Sequence, residues 1–173
     1  MFLSHSSVRK RFLVKNVLPV LVLCLVMGSA LFSSCDWSGG EGRFSLIGIW
    51  TDPRQTAEDT YTITNTTLSY GSPYGGDFSG IVISIEYFDN SSGVIIFRYD
   101  TGLPSTGRTF GAVYYKGLTA TRMEMANAGR WESTPPYKEI TPIITSAEQA
   151  KKEFTQDNVG NYVTMWGGPY VKQ

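Results

Sequence analysis

The sequence predicts an all-β, mainly antiparallel domain: a small up-and-down barrel of about eight strands with one C-terminal helix, with a β-sandwich as the alternative. Two observations predict it. From residue 44 onward, short runs of alternating apolar and polar residues recur between clusters of Gly, Pro, Asn, Asp and Ser, which form turns. A single stretch, beginning at Ser146, has helical spacing instead. Many short strands with one late helix favour the closed barrel.

Three short strands open the domain. They are predicted at residues 44–50, 61–64 and 67–70. Asp52-Pro53 ends the first strand, because proline cannot donate a hydrogen bond to a neighbouring strand. Asn65-Thr66 forms the turn between the other two.

The clearest hairpin follows at residues 81–99, where the alternation has a period of two. We expect one face of its first strand to be buried and the other, with Ser84 and Glu86, to face outward. The residues assigned to the buried face are Ile81, Ile83, Ile85 and Tyr87, followed after the turn by Ile95, Phe97 and Tyr99.

A second hairpin is predicted from residues 109–116 and 119–125, with its tight turn at Gly117. In its second strand, Thr121, Met123 and Met125 are expected to face inward, the two methionines as core residues, while Arg122 and Glu124 face outward. The next segment, residues 129–145, contains three prolines and is expected to be loop or an edge strand.

The helix begins at Ser146, whose hydroxyl can accept from the amide of Gln149 while the Gln149 side chain reaches back, which is the capping-box arrangement. Ala150 and Phe154 then recur at helical spacing, and Gly160 ends the pattern. Residues 162–166 are predicted as the final strand.

The N-terminal region has the organisation of a secretory signal. Four basic residues (Arg9, Lys10, Arg11 and Lys15) precede an apolar run at residues 17–27. That run is too short for a membrane-spanning helix, which needs roughly 20 residues. Residues 31–35 (Leu-Phe-Ser-Ser-Cys) resemble the lipobox of bacterial lipoproteins.

The lipobox resemblance implies cleavage between Ser34 and Cys35 and acylation of Cys35, so that an acyl or diacylglycerol group anchors the protein to the lipid bilayer. We therefore predict a signal peptide at residues 1–34, a lipidated cysteine with a flexible tether at residues 35–43, and one domain at residues 44–173. The predicted location is the cell envelope, on the inner or the outer membrane. A secreted protein without an anchor is the alternative.

Cleavage would change the chemistry of the chain. Four of the 15 basic residues leave with the signal, so 11 basic residues remain against 15 acidic ones, a net charge of −4. The remaining basic residues are scattered, which argues against nucleic acid as a partner. The only histidine, His5, and one of the two cysteines, Cys24, leave as well. We therefore expect no enzyme, no metal and no cofactor, with a carboxylate-based hydrolase as the remaining catalytic alternative.

Gly48-Ile49-Trp50 on the first strand, the run of hairpins and the late helix together resemble the lipocalin-like, or calycin, barrels. Residues 61–67, 114–121 and 152–160 also resemble small spirochaete lipoproteins of unassigned function. The lipocalin resemblance implies that Trp50 plugs the narrow end of the barrel. It also implies that an arginine, Arg122 or Arg130, lies across the Trp50 ring.

Two functions follow as hypotheses. The first is a barrel that binds an apolar or amphipathic small ligand, with Tyr70, Tyr74 and Tyr137 placed around its mouth. The alternative is a surface or periplasmic module that contacts an envelope or host protein and binds no small ligand. Trp37 and Trp131 are the candidate contact residues, because both lie in segments that are hard to bury.

Overall fold

The computed structural model describes residues 43–54, 58–104, 107–130 and 139–173. Within those ranges, the chain forms eight strands and two helices. The strands are β1 (Gly48–Thr51), β2 (Thr60–Ile63), β3 (Thr67–Gly71), β4 (Phe78–Tyr87), β5 (Gly93–Thr101), β6 (Phe110–Lys116), β7 (Arg122–Asn127) and β8 (Gly167–Lys172). The helices, α1 (Ala147–Glu153) and α2 (Val159–Tyr162), both lie in the connection from β7 to β8.

The strands form a closed barrel in chain order, and each pairs antiparallel with its neighbours. Closure joins the first strand to the last, with Trp50 opposite Lys172 and Thr51 opposite Val171. The predicted all-β barrel is therefore confirmed, and the β-sandwich alternative is wrong. A closed barrel leaves no exposed strand edge on which another chain could pair.

The order of the strands gives the barrel two distinct ends. At the first end, which we call the plugged end, β1 begins and β8 finishes, and the turns at residues 64–66, 88–92 and 117–121 join the strands. At the opposite end, which we call the mouth, β1 finishes and β8 begins. The longer connections, including the one that carries both helices, lie at the mouth.

Apolar side chains form two layers. The first fills the barrel interior and includes Trp50, Tyr61, Phe97, Tyr115 and Met123. The second lies between the outer face of β5 and β6 and the helices, and it includes Ile96, Tyr114, Ala150, Phe154 and Tyr162. Because both of their faces are covered, β5 and β6 contain nearly continuous apolar runs, in contrast to the one-sided alternation expected of them.

The first strand of the predicted hairpin deviates from simple alternation. Val82 pairs with Phe97, but Ser84 pairs with Ile96, so Ile83 is an extra residue that forms a β-bulge. Before the bulge Val82 faces the interior and Ile81 is 42% exposed, whereas after it Ile85 and Tyr87 pack against the interior cluster. The predicted inward position of Ile81 is therefore wrong, and Ile83 packs in the outer layer.

After the bulge, the rest of the hairpin keeps the predicted alternation of faces. Ser84 faces outward as predicted, opposite Ile96 of the outer layer, but it is buried there. The returning strand agrees with the prediction, since Ile95 and Phe97 lie in the interior cluster and Tyr99 packs against it.

The second hairpin places Met123 and Met125 in the interior as predicted. Thr121 is exposed in the turn that precedes β7, so its predicted inward position is wrong. In the following segment, described at residues 128–130 and 139–145, the backbone is irregular apart from a bridge at Glu139, in agreement with a loop.

The helix begins as predicted, with the Ser146 hydroxyl accepting from the amide of Gln149 at 3.2 Å. The Gln149 side chain, however, accepts from the amide of Thr145 at 3.1 Å and does not close the predicted capping box on Ser146. Helix α1 ends at Glu153, and a separate turn of helix, α2, follows. No helix in the described ranges combines the length and the apolar character needed to cross a bilayer.

The last strand lies five residues later than predicted. Tyr162, expected to open that strand, is a buried residue of α2, and β8 runs from Gly167 to Lys172. Met125 pairs with Gly167 and Met123 with Tyr170, so the ladder is irregular around Pro169. A proline is tolerated at such a bulge because no regular ladder bond is required of it.

Candidate functional site

Trp50 closes the plugged end of the barrel. Its side chain is fully buried, and its indole Nε1 donates to the carbonyl of Leu46 at 2.8 Å. The Lys172 Nζ lies 5.2 Å from the centroid of the Trp50 ring and donates to the carbonyl of Ser45 at 3.1 Å. A Cβ atom on Gly48 would come within 2.6 Å of the Lys172 Cε, so glycine leaves room for the lysine stem.

The cation over Trp50 is thus Lys172, in place of the predicted Arg122 or Arg130. Arg122 is exposed on β7, opposite Val171, and Arg130 lies 5.9 Å from the ring centroid of Tyr162. Lys172 reaches Trp50 because β8 closes the barrel against β1. The plugged end is therefore a structural feature, held by Gly48, Trp50 and Lys172.

Aromatic rings from five strands, β8, β2, β3, β4 and β5, pack against one another inside the barrel. They form a connected series, with neighbouring ring centroids 4.7–5.5 Å apart, through Tyr170, Tyr61, Tyr70, Phe78 and Phe97. Such contacts add about 0.5–1.5 kcal/mol per pair beyond the burial of their area. Tyr61, Tyr70 and Phe78 lie near the mouth ends of β2, β3 and β4.

A pocket of about 320 Å³ opens at the mouth. Its walls combine carboxylates, one guanidinium, tyrosine rings and sulfur-containing side chains. The lining residues are Asp52, Arg54, Asp59, Tyr61, Tyr70, Met125, Ala126, Asn127, Met165, Trp166, Gly167 and Tyr170. This size is at the lower end of the range for small-molecule sites, and its mixture of apolar walls with a few polar groups is typical of them.

The charged side of the pocket is fixed by Asp52, which is buried at the end of β1. The Arg54 Nε donates to Asp52 Oδ1 at 2.9 Å and its Nη2 donates to Oδ2 at 2.7 Å. The backbone amide of Arg54 also donates to Oδ1 at 3.0 Å. This two-pronged bond to Asp52 raises the pKa of Arg54 above its ordinary value, and it holds the exposed guanidinium in one orientation at the rim.

The tyrosine side of the pocket is neutral. The Tyr61 hydroxyl donates to Asn127 Oδ1 at 2.8 Å. Burial raises the pKa of Tyr61, Tyr70 and Tyr170, and the negative charge of Asp59 raises all three further. At neutral pH these phenols therefore keep their protons and carry no charge.

A second polar pair lies near the mouth, in the connections before β6 and after β7. The Arg108 Nη1 lies 3.1 Å from Glu139 Oε1, and both side chains are largely buried. Arg108 Nη2 also donates to the Tyr99 hydroxyl at 3.4 Å. This ion pair joins two loops that are distant in sequence, which is why no local pattern predicts it.

The structure tests only some of the predicted site residues. Ser34, Cys35, Trp37, Trp131 and Tyr137 lie outside the described ranges. Of the tyrosines predicted around the mouth, Tyr70 lines the pocket and Tyr74 is exposed in a mouth loop. Asp52, Arg54 and Asp59, which carry the charge of the pocket, were not predicted, since charged residues beside a proline turn look like solvated loop residues.

The comparisons with known proteins add no relative. No protein-family model, curated protein or solved structure matches this chain. Among the residues that the structure describes, no three His, Cys, Asp or Glu side chains are grouped so that they could hold a metal ion. The function must therefore be argued from the barrel and its pocket.

Proposed function

We propose that this protein is a lipid-anchored lipoprotein of the cell envelope whose barrel binds a small amphipathic ligand at its mouth. The observation that carries the ligand-binding part is the pocket of about 320 Å³, with an aromatic and sulfur-lined wall on one side and a charged rim on the other. Pockets of this kind bury the apolar part of a ligand and orient it with a few polar groups. The anchor rests on the basic, apolar and Leu-Phe-Ser-Ser-Cys segments of residues 9–35.

The direction of the barrel supports the combination of anchor and pocket. The described chain starts at Arg43 and reaches β1 at the plugged end, so a tether from Cys35 would join the domain there. Eight residues span at most about 28 Å when fully extended. That length is similar to the length of the ten-residue strand β4, at about 3.3 Å per residue. A tether joined at the plugged end would leave the mouth and its pocket accessible to a ligand.

A second function is favoured by a separate observation. Five large apolar side chains are exposed in segments that connect strands at the mouth: Tyr74, Leu103, Ile140, Ile143 and Met165. Exposed apolar residues at one end of a domain are typical of protein contact surfaces. An interaction module that contacts an envelope or host protein through these loops is therefore the alternative.

Lipid attachment is tested by labelling growing cells with an alkyne-bearing fatty acid and separating detergent-soluble from aqueous protein. We expect Cys35→Ala to lose the label and to leave the detergent phase. Cys24→Ala is the matched control, because it changes the other cysteine of the chain and should keep both properties. Labelling that survives in Cys35→Ala would contradict the anchor.

Ligand binding is tested by native mass spectrometry of the full-length protein released from a non-ionic detergent, together with tryptophan fluorescence against a panel of amphipathic compounds. Asn127→Trp should fill the pocket rim and abolish binding, since Asn127 lines the pocket. Asn65→Trp places the same bulk in an exposed turn at the plugged end and serves as the control. The proposal fails if no compound binds, or if Asn127→Trp binds as well as Asn65→Trp.

A further inference from the structure

A short connection forms one wall of the mouth pocket. Residues 163–166 join α2 to β8 without regular secondary structure, and Met165 and Trp166 of this connection line the pocket. Gly167, which follows them, is held in the barrel because it pairs with Met125 of β7. The contacts that Met165 and Trp166 make therefore bear on the shape of the pocket.

Trp166 contacts the outer side of the barrel. Its side chain packs against the outer layer of apolar residues. The Lys116 Nζ lies 4.4 Å from the centroid of its ring, within the distance of about 6 Å over which a cation is attracted to the face of an aromatic ring. Met165, the residue before it, is 80% exposed. The Trp166 ring therefore attaches the last part of the connection to the outer face of the barrel.

Lys116 is itself held in place by a neighbouring strand. Its Nζ lies 3.1 Å from Oε2 of Glu124, which is the residue opposite Lys116 where β6 pairs with β7. Both side chains are less than half exposed. Lys116 is not among the described residues that line the pocket. Its contact with Trp166 therefore links the outer face of the barrel to a residue of the pocket wall.

We propose that Lys116 is a positioning residue for the mouth pocket: its cation holds the Trp166 ring against the outer face of the barrel and so fixes the wall that Met165 and Trp166 form. When this contact is lost, the wall moves away more often and uncovers Met125, which lines the pocket and is only 1% exposed. The inference rests on the proposed ligand-binding function, because a wall in a fixed place is preorganised to hold a ligand.

Oxidation of methionine by hydrogen peroxide measures the opening of the wall without a ligand, because accessible thioethers are converted to sulfoxides that mass spectrometry of peptide fragments can locate. In the full-length protein in non-ionic detergent, we expect Met165 to be oxidised rapidly and Met125 slowly. Lys116→Leu keeps an apolar stem but removes the charge. It should accelerate the oxidation of Met125 about threefold, the factor expected for loss of a partly exposed cation–π contact.

Met123 is the internal control. It is as deeply buried as Met125 but is not among the described residues that line the pocket. A general loosening of the barrel would accelerate the oxidation of both residues, whereas movement of the wall should accelerate only that of Met125.

Three further variants separate the ring contact from other effects of the lysine. Lys116→Arg keeps a cation that can lie over the ring and should restore the parental rate. Glu124→Gln removes the ion pair but keeps the lysine, so it should accelerate the oxidation of Met125 less than Lys116→Leu does. Lys151→Leu removes a half-exposed lysine from another surface ion pair, with Glu86, and should leave the rate unchanged.

Fluorine NMR of protein labelled with 5-fluorotryptophan reports on the ring directly. Trp166→Phe identifies the Trp166 resonance among those of the four tryptophans of the chain. Lys116→Leu should shift this resonance. It should leave the resonance of Trp50 in place, because the cation beside that ring is Lys172.

The proposal is overturned if Lys116→Leu leaves the Met125 rate or the Trp166 resonance unchanged, or if it accelerates Met123 as much as Met125. It is also overturned if Lys116→Arg behaves like Lys116→Leu, or if Glu124→Gln has the full effect. If Lys116→Leu does not fold, Lys116→Gln removes the same charge and decides in its place. Failure of the proposed function looks different, since no compound would then bind to the parent protein while the oxidation and fluorine results would keep their expected values.

Discussion

Lys172 and Trp50 meet across the seam that closes the barrel, with the lysine Nζ 5.2 Å from the centroid of the indole ring. They face each other because β8 pairs with β1, which places the last strand of the domain beside the first. The lysine stem passes over Gly48, where any side chain would collide with it. The Gly-x-Trp sequence of β1 and Lys172 of β8 therefore form one structural unit.

The charge of Lys172 should stabilise the pairing of β1 with β8 that closes the barrel. Lys172→Met keeps most of the apolar stem but removes the cation–π contact and the bond to the Ser45 carbonyl, so we expect a loss of about 1–2 kcal/mol in the free energy of unfolding. Lys151→Met is the control, since Lys151 is half exposed and lies 3.8 Å from Glu86 in a surface ion pair worth less than about 1 kcal/mol. Urea denaturation of the full-length protein measures both. Equal losses would contradict a special role for Lys172.

Gly48 should be coupled energetically to Lys172. Gly48→Ala places a Cβ at 2.6 Å from the lysine Cε at a backbone φ of +148°, so we expect a destabilisation of about 2 kcal/mol. Removing the stem in Lys172→Ala relieves the collision but not the backbone strain. A double-mutant cycle should therefore give a coupling of about 1 kcal/mol. Additive losses would show that the two residues do not interact.

Removing the hydroxyl group should change the stability of the barrel in opposite directions at two buried tyrosines, Tyr115 and Tyr61. Tyr115 is buried and its hydroxyl has no hydrogen-bond partner among the residues that the structure describes, whereas the Tyr61 hydroxyl donates to Asn127. We expect Tyr115→Phe to be neutral or to stabilise the barrel by up to about 1 kcal/mol, and Tyr61→Phe to destabilise it by about 1 kcal/mol. Thermal unfolding of the two variants measures the difference. A larger loss in Tyr115→Phe than in Tyr61→Phe would contradict the assignment.

Alkaline pH should unfold the protein through its buried tyrosines. Burial raises the pKa of five of them above the ordinary value of about 10: Tyr61, Tyr114, Tyr115, Tyr162 and Tyr170. Below that pH both states keep these protons, and stability does not depend on them. Above it only the unfolded chain releases them, so each raised tyrosine lowers the free energy of unfolding by up to about 1.4 kcal/mol per pH unit.

Urea midpoints measured between about pH 8 and 11 should therefore fall steeply above pH 10, and tyrosinate absorbance should rise together with unfolding. Tyr115→Phe should reduce the number of protons released on unfolding by about one, so the midpoints should fall less steeply with pH. Midpoints that stay constant across this range would contradict the effect of burial.

The β5 strand and the helix start could be predicted because local sequence determines them. Ile95, Phe97 and Tyr99 alternate along a regular part of β5, and the Ser146 cap depends on residues within one turn of helix. β4 was harder, because Ile81, Val82 and Ile83 are all apolar and no pattern marks which one forms the bulge. The face of a strand on either side of a bulge depends on its partner.

The pocket and the plug depend on residues brought together only by closure of the barrel. Asp52 and Arg54 follow β1, while Tyr61, Tyr70 and Tyr170 come from three different strands. Lys172 was missed because the final strand was predicted at residues 162–166, whereas β8 begins at Gly167-Gly168-Pro169, which has the composition of a turn. Register within a closed barrel cannot be read from one strand at a time.

Removing one charge of the Arg108–Glu139 pair should lower the free energy of unfolding more than replacing both residues with apolar ones. Arg108→Met alone leaves the largely buried Glu139 carboxylate without the guanidinium 3.1 Å away, so we expect a loss of about 3 kcal/mol. The double variant Arg108→Met and Glu139→Leu removes both charges and fills the site with apolar groups, so we expect stability within about 1 kcal/mol of the parent. Lys151→Met with Glu86→Leu, which removes an exposed pair 3.8 Å apart, is the control and should show single and double losses below about 1 kcal/mol. Urea denaturation of all variants compares the two pairs. If Arg108→Met costs no more than Lys151→Met, burial does not make the Arg108–Glu139 pair costly to break, and the two loops are held together by other contacts.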